Sequence, residues 1–275
     1  MSLIYTFRGN LVLTGALHIG SGSGNEQTDA AIVRDAQGRP YLPGSSLRGA
    51  FRAAVERLAP TLLGPNNTQI REDFEEMQRI QEASEKALEK AREDAQSTGE
   101  SFDTERAMQM QLDARLSAAE RLFGTVLWAS PLTIPDLPLL AEDPASTQGE
   151  IRHGVGIDRD TGAAREQVKY DFEVLPRGST FRFLMRCEME HRYQAVWERL
   201  LAIGLRLLEM GELPLGGRLA RGVGQVRLDH LEVFQLDLHN RDALKRMLVG
   251  ADDDARYGSC LPDGSGWVRT QLEGV

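Results

Sequence analysis

One short segment of the chain combines two serines and two arginines in a spacing suited to binding phosphate. A Pro-Gly pair should end an extended run, and Ser45 or Ser46 can then cap the helix that follows by accepting a hydrogen bond from a free backbone N–H. The other unpaired N–H groups at that helix start, together with the helix dipole, favour an anion. Arg48 and Arg52 lie four residues apart, so both can reach phosphate from one helix face. An ordinary capped surface helix would show the same pattern.

A second candidate for binding phosphate is the glycine-rich run over residues 216–224. Glycines let the backbone approach a ligand closely and adopt positive φ angles, and arginines supply planar donors for phosphate. The run has neither P-loop spacing nor the βαβ setting of a dinucleotide fingerprint. Its candidate ligand-binding residues are Gly216, Gly217, Arg218, Arg221 and Gly222. The alternative interpretation is a flexible turn between a helix and a strand.

Two side chains nearer the N-terminus could carry out chemistry. Asp29 lies in a polar loop just before a predicted strand, where a carboxylate could bind a divalent cation or orient a ribose 2′-OH. His18 stands at the end of a predicted strand, where it could contact RNA or act as a general base. Gly20 and Ser21 belong to the glycine and serine cluster that follows it. From spacing alone, Asp29 is a solvated loop residue, and a lone histidine at a strand end, such as His18, is more often structural.

Several classes of protein are not indicated by the sequence. It contains no Gly-x-Ser-x-Gly or His-Glu-x-x-His motif, so common hydrolase and metalloprotease schemes lack support. Its two cysteines, Cys187 and Cys260, do not form a Cys-x-x-Cys pair, which argues against a zinc ribbon and fits a reducing compartment. No apolar run has membrane-spanning length and no signal peptide is recognisable. We therefore expect a cytoplasmic protein without a membrane partner.

Apolar residues recur with strand and helix periods along most of the chain. Residues 3–19 alternate as a long strand with one apolar face, formed by Tyr5, Phe7, Leu11, Leu13 and Leu17. Helices are predicted over about 46–58 and, strongly apolar, over about 191–209. The other predicted elements are strands near 29–34, 167–175 and 179–189, irregular chain over 131–150, a strand ending near 233, a short helix near 240–249 and a loose tail.

Residues 66–123 differ in composition from the rest of the chain. Helical spacing predicts two helices joined by a turn at 97–99, the second running from about 103 to a stop at Gly124. Residues 71–106 hold twelve acidic and six basic side chains, so this segment contributes most of the protein's net charge of −9. A basic surface can therefore exist elsewhere on the protein, despite the overall charge. We interpret residues 66–120 as a helical insertion.

Without the insertion, the predicted elements run strand, helix, two strands, helix, strand. This βαββαβ order is that of ferredoxin-like and RRM-like α+β folds, whose sheets often bind RNA. The small-residue run over 153–164 predicts a protruding β-hairpin. The predicted organisation is a core at 1–65 and 121–238 with the hairpin at about 152–168, the insertion at 66–120, and a C-terminal helix and tail at 239–275.

Taken together, these motifs resemble the RAMP superfamily of CRISPR-associated proteins, and most closely the backbone subunit of type III effector complexes. The matching segments occur in family order and cover about residues 1–60 and 120–236. They are Leu17-His18-Ile19-Gly20-Ser21-Gly22, the Asp29 segment, Leu42-Pro43-Gly44-Ser45-Ser46-Leu47-Arg48-Gly49, Arg121-Leu122-Phe123-Gly124, Gly156-Ile157-Asp158-Arg159, and the glycine-rich run. The acidic insertion is longer than a plain backbone subunit would have, which leaves the subtype open.

The resemblance implies an RRM-like subunit whose copies stack along a guide CRISPR RNA with other effector subunits. The hairpin would correspond to the thumb that enters the guide–target duplex. Asp29 would bind Mg²⁺ or Mn²⁺ and support cleavage of target RNA, which makes the chain an endoribonuclease. The implied RNA contacts are His18, Gly20, Ser21, Ser45, Ser46, Arg48, Arg52, Arg159, Gly216, Gly217, Arg218, Arg221 and Gly222.

Two other functions stay open. The chain could be a non-catalytic RNA scaffold of the same assembly, which would use the same basic loops and need no acid. It could also be a stand-alone ribonuclease that cuts repeat RNA through His18 without a metal, although the sequence offers no evident second catalytic histidine or tyrosine.

Overall fold

A five-stranded antiparallel sheet organises the chain in the computed structural model, which describes residues 2–22, 28–71, 73–98, 101–140, 148–160, 163–250 and 255–273. The strands are β1 (Ser2–Leu13), β2 (Tyr41–Leu42), β3 (Leu132–Thr133), β4 (Leu137–Pro138), β5 (Glu150–Ile157), β6 (Ala164–Val174), β7 (Thr180–Glu190), β8 (Val226–Asp237) and β9 (Ser259–Cys260). The sheet has the order β3-β7-β1-β8-β9, while β2 pairs with β4 and β5 with β6.

Helices cover one face of this sheet and form the insertion. They are α1 (Gly44–Leu63), α2 (Pro65–Thr68), α3 (Phe74–Thr98), α4 (Thr104–Asp113), α5 (Ala118–Phe123), α6 (Gln194–Met210), α7 (Arg241–Val249) and α8 (Gly264–Glu273), with 3₁₀ turns at Leu219–Arg221 and Ala255–Tyr257. The predicted apolar face of β1 is buried in one core with α1 and α6. The α+β class is confirmed, and the arrangement is compatible with a ferredoxin-like core.

One predicted core strand lies elsewhere. Residues 167–175 fall in β6, which pairs with β5 as a separate two-stranded hairpin instead of joining the main sheet. The edge beside β7 is taken by the short β3, within a stretch that was expected to be irregular. The predicted strand at 29–34 forms only isolated bridges, Gly20 with Ile32 and Arg34 with Pro40. The predicted protruding hairpin is therefore present and is longer than expected at its base.

The prediction of a loose tail was wrong. Helix α8 packs against α6 and β8, with Val268 fully buried. The Trp267 ring lies 5.6 Å from the Tyr5 ring and 5.3 Å from the Phe7 ring, measured between centroids. Aromatic side chains bury large apolar areas, so this contact fixes the helix on the core. The Gly-Ser-Gly start of α8 concealed it in the sequence.

The helical insertion has a small core of its own. Met77, Ile80, Leu112 and Leu116 are buried together between α3 and the segment around α4. The second helix, expected to be continuous, is interrupted between α4 and α5, where Ser117 begins α5 with a reciprocal capping box. Among the described residues, no helix is long and apolar enough to cross a membrane.

A buried carboxylate fastens the insertion to the core. Glu120 in α5 is fully buried and accepts hydrogen bonds from Arg71, at 2.8 Å from Nε and 2.6 Å from Nη2. It also accepts a bond from the Ser117 backbone N–H. Burial alone would raise the pKa of Glu120, but the bonds from Arg71 and Ser117 outweigh it and hold that pKa below its ordinary value.

This arrangement predicts a specific loss of stability in acid. A carboxyl group whose pKa is lower in the folded state stabilises the protein fully above its unfolded pKa, which is about 4.3 for glutamate, and loses that effect as the pH falls through the folded value. We therefore expect Glu120→Gln to lower the free energy of unfolding at pH 7 and to flatten its decline below about pH 4.3. Urea unfolding from pH 7 to pH 3 measures both effects, and an unchanged acid slope would contradict the prediction.

Candidate nucleic-acid interface

Three segments that are distant in sequence meet beside the base of the hairpin. The Gly217 N–H donates to the His18 carbonyl oxygen at 2.9 Å, and the Gly224 N–H donates to that of Ala16 at 2.7 Å. Leu17 and Leu175 exchange backbone hydrogen bonds of 3.0 and 2.8 Å. The loop after β1, the glycine-rich run and the end of β6 therefore form one surface.

Two glycines are required for this close approach. Gly216 has φ +77°, and a Cβ there would lie 2.3 Å from the His18 carbonyl oxygen. Gly224 has φ +97°, and its Cβ would lie 2.2 Å from the Leu215 carbonyl oxygen. Gly216 thus allows the contact with the loop after β1, and Gly224 allows the glycine-rich run to fold back on itself. Gly217 and Gly222 are exposed, and a Cβ at Gly222 would meet nothing within 4 Å, so these two can face a ligand.

The arginines of the run lie over an aromatic pair on β6. The Arg218 guanidinium carbon is 4.1 Å from the Phe172 ring centroid, and that of Arg221 is 4.9 Å from the Tyr170 centroid. The two rings are themselves stacked at 6.4 Å. Cation–π contact uses the face of a guanidinium and leaves its in-plane N–H groups available to an acceptor. Neither arginine forms an ion pair within the described part of the chain.

His18 lies beneath this surface. Its side chain is only 7% exposed, and Nδ1 is 2.7 Å from the Glu173 carbonyl oxygen. A carbonyl oxygen only accepts, so Nδ1 carries the proton and donates. The imidazole also meets the edge of Phe172 at 5.7 Å between centroids. Its contacts join the loop to β6, whereas Gly20 and Ser21 beside it are exposed.

Asp29 lies on the side of β6 opposite Arg218 and Arg221. The Asp29 N–H donates to Asp171 Oδ1 at 2.8 Å, and the Asp171 N–H donates to Asp29 Oδ2 at 3.0 Å. The Asp29 N–H, and then the Thr28 hydroxyl, hold the pKa of Asp171 below its ordinary value, with a further contribution from His153. Two carboxyl groups are thus held next to each other at the hairpin base.

The start of helix α1 differs from the prediction. Pro43 occupies the cap position without a side-chain bond, so the prediction of a cap by Ser45 or Ser46 was wrong. The Gly44 N–H instead donates to Asp136 Oδ1 at 2.9 Å, so a carboxylate of the protein already lies at this helix start. Ser45 is exposed, and Ser46 lines a cleft of about 420 Å³ shared with Gly216.

The two arginines of α1 are bound within the protein. Arg48 Nη2 donates to the Phe123 carbonyl oxygen at 2.7 Å, at the end of α5. Arg52 Nε donates to Glu56 at 2.6 Å within the helix. Gly124 ends α5 with φ +78°, as predicted. The structure therefore brings the glycine-rich run, the loop after β1 and Asp29 together, and gives Arg48 and Arg52 partners elsewhere.

Arg159 lies apart from the other candidates. It is exposed at the tip of the β5–β6 hairpin, which closes with a bond from the Asp158 N–H to the Ala163 carbonyl oxygen at 2.8 Å. Eight residues of β5 separate that tip from the base, a distance of about 25 Å at the usual rise per residue. The bend predicted at 160–162 falls partly outside the described residues.

Sequence reasoning predicted a strand at 167–175 but missed that its side chains join these features. In Tyr170-Asp171-Phe172-Glu173, the aromatic residues face the arginines and the acidic residues face the Asp29 loop. Glu173 accepts from the Ile32 N–H at 3.1 Å and from Arg34 at 2.5 Å, which attaches that loop to β6. The strict alternation of aromatic and acidic residues was the signal that could have identified two different functions for the two faces of this strand.

Comparison with known proteins agrees with this geometry. None of the curated proteins compared with the chain matches it. The family model of the RAMP superfamily matches residues 10–227, which include the loop after β1, helix α1, the hairpin and the glycine-rich run. A match of that extent covers most of the chain and all of the interface described above. The chain belongs to the RAMP superfamily of CRISPR-associated, RNA-binding proteins.

Proposed function

We propose that this chain is a backbone subunit of a type III CRISPR effector complex, which binds guide RNA and cleaves the paired target RNA. The observation that carries the proposal is the position of Asp29 at the hairpin base, where it is hydrogen-bonded to β6, the strand whose aromatic rings contact Arg218 and Arg221. With the carboxylate on one side of β6 and the two arginines on the other, an RNA bound by the arginines would pass close to the acid.

The guide backbone would lie along the glycine-rich run. Arg218 and Arg221 offer in-plane N–H donors whose direction is fixed by the rings beneath them. Gly217 and Gly222 present exposed backbone next to those donors, so phosphates can approach closely. This arrangement binds RNA through its backbone and so accepts any guide sequence.

The carboxylates at the hairpin base suit a hard divalent cation. Asp29 and Asp171 each use one oxygen in their reciprocal hydrogen bonds, and oxygen ligands are those that Mg²⁺ and Mn²⁺ prefer. No group of three or more His, Cys, Asp or Glu side chains that could hold a metal occurs among the described residues. Mg²⁺ is commonly bound by one or two carboxylates plus substrate phosphates. Bound there, the cation would stabilise negative charge on the phosphate under attack.

A non-catalytic scaffold is the second candidate, because RNA bound by Arg218 and Arg221 on their aromatic platform would not need Asp29. A metal-independent ribonuclease that acts through His18 has less support. Only 7% of that residue is exposed, so little of its imidazole is accessible to a ribose hydroxyl at the surface.

One preparation tests the proposal against both alternatives. The complex is purified with its RNA, the RNA is sequenced, and a matched target is added with Mg²⁺ or with a chelator. If the proposal is correct, the RNAs purified with the complex share a common end, and the chelator abolishes cleavage of the matched target. Retained guide RNA without any cleavage would establish the scaffold, and cleavage of repeat RNA in chelator would establish the ribonuclease.

We expect the arginine pair to dominate the salt dependence of RNA binding. Arg218→Gln with Arg221→Gln removes two phosphate contacts, and each contact to single-stranded nucleic acid contributes about 0.7 to the slope of log K against log salt. The slope should therefore fall by about 1.4, measured by filter binding between about 50 and 200 mM salt. Arg79→Gln with Arg92→Gln, on the exposed surface of α3, makes the same change in charge and should leave the slope unchanged.

A further inference from the structure

A large groove lies on the side of the protein where the insertion meets the sheet edge. Its volume is about 1150 Å³, and its walls are α3, α4 and the end of β7. The floor is apolar and includes Leu88, Met108, Leu112 and Trp128. This volume exceeds the range of about 300–1,000 Å³ that is usual for small-molecule pockets. The groove is lined by none of the residues of the RNA interface described above.

The rim of the groove is acidic. Glu85, Glu105, Glu188 and Glu190 line it, and none of the four forms an ion pair with another residue that the structure describes. Arg121 and Arg192 act on Glu190 at longer range, whereas Asp113 adds a further negative charge near it. Carboxylates at a groove rim repel RNA phosphates and attract cationic groups. An apolar floor inside such a rim is complementary to a segment that is apolar on one side and basic on its flanks.

We infer that this groove docks a basic amphipathic helix of a neighbouring, different protein subunit. The wall formed by α4 from Thr104 to Leu112 is roughly 12 Å long at 1.5 Å per residue, which matches about two turns of a docked helix. Helices bind such grooves through apolar side chains spaced three and four residues apart. Met108 can adapt to the shape of those side chains. The inference rests on the proposed function only in taking the chain as part of a larger assembly.

A second copy of this chain is a poorer occupant. Its exposed basic helix is α7, which carries Arg241, Lys245 and Arg246 and leaves Leu248 and Val249 each 76% exposed. The sequence then continues with Asp252-Asp253-Asp254, so the segment as a whole is not basic. Charge complementarity therefore favours a segment from another protein.

A photo-crosslinking experiment on the assembled complex tests the inference. Gln109 is exposed and lines the groove, and it is replaced with p-benzoylphenylalanine. We expect a crosslink to one co-purifying subunit, mapped by mass spectrometry to a Lys- and Arg-rich amphipathic segment. Glu105→Lys with Glu188→Lys places like charges in contact and should lower the crosslink yield by about tenfold or more. Glu89→Lys with Glu93→Lys, on α3 and outside the groove lining, is the matched control and should not.

Four results would overturn the inference: a crosslink to RNA, a crosslink to a second copy of this chain, no crosslink within an intact complex, or a yield that the groove variant does not change. Thermal unfolding verifies that the charge-reversed variant is folded, and Glu105→Gln with Glu188→Gln provides a milder variant that should give an intermediate yield. Guide RNA content and target cleavage are measured on the same preparations. If guide RNA or target cleavage is lost while the crosslink is retained, the result counts against the proposed function and leaves the groove assignment intact.

Discussion

Cleavage of matched target RNA should fall by at least about 100-fold when Asp29 is replaced with alanine, while the guide RNA stays bound. Loss of residues that only support a metal ligand already costs about 10–100-fold in activity, and loss of a ligand itself should cost more. Guide binding should persist because the platform of Arg218 and Arg221 does not use this carboxylate. Cleavage rates with saturating target, together with the RNA content of the purified complex, measure both parts.

Two further variants separate the charge of Asp29 from its structural role. Asp29→Asn keeps an oxygen that can accept the Asp171 N–H bond but removes the charge, so we expect it to be as inactive as Asp29→Ala. Asp94→Ala removes an exposed carboxylate from α3 and should have no effect. Full cleavage by Asp29→Asn would mean that the residue only holds the loop, and the catalytic assignment of Asp29 would then be wrong.

A substitution at the neighbouring Asp171 tests whether the metal site contains one carboxylate or two. Asp171→Asn retains an oxygen that can accept the Asp29 N–H bond, so the loop should stay in place. If Asp171 also binds the cation, this variant should need a higher Mg²⁺ concentration for half-maximal cleavage. An unchanged Mg²⁺ dependence would mean that, of these two carboxylates, Asp29 alone binds the cation.

Local periodicity predicted the elements that have one strongly apolar face. The alternation from Tyr5 to Leu13 identified β1, and the apolar run containing Trp197 and Leu200 identified α6, because burial of those faces dominates their folding. Gly124 was recognisable as a helix stop because a positive φ favours glycine. The strand at 167–175 was also recognised, but its pairing was not, since a strand pattern does not specify its partner.

The site was less predictable because its contacts join residues far apart in sequence. The spacing of Arg48 and Arg52 places both in one helix, but it does not show that Arg48 bonds to the Phe123 carbonyl oxygen. Likewise, the cap of α1 comes from Asp136, which is 92 residues away from Gly44. Asp29 was recognised as a candidate through family resemblance, whereas Asp171, its partner in space, carries no local signal beyond its strand.

The groove depends on how the insertion is attached, and Arg121 is central to that attachment. Its side chain is fully buried and forms an ion pair with Asp113 at the end of α4. Its guanidinium carbon also lies 4.6 Å from the Trp128 ring centroid and 4.8 Å from that of Tyr193. One side chain thus joins α5 to the end of α4, to the segment before β3 and to the start of α6.

Replacing Arg121 with alanine should lower the free energy of unfolding by about 3–5 kcal/mol, because it leaves a large cavity, removes two cation–π contacts and breaks the ion pair of a buried guanidinium with the partly exposed Asp113. Urea unfolding at pH 7 measures the change. Arg192→Ala is the matched control, since Arg192 pairs with the same Asp113 at 3.1 Å but is 67% exposed, and its loss should cost no more than about 1 kcal/mol. Equal losses of stability from the two substitutions would show that the burial of Arg121 adds nothing to the contribution of its charge.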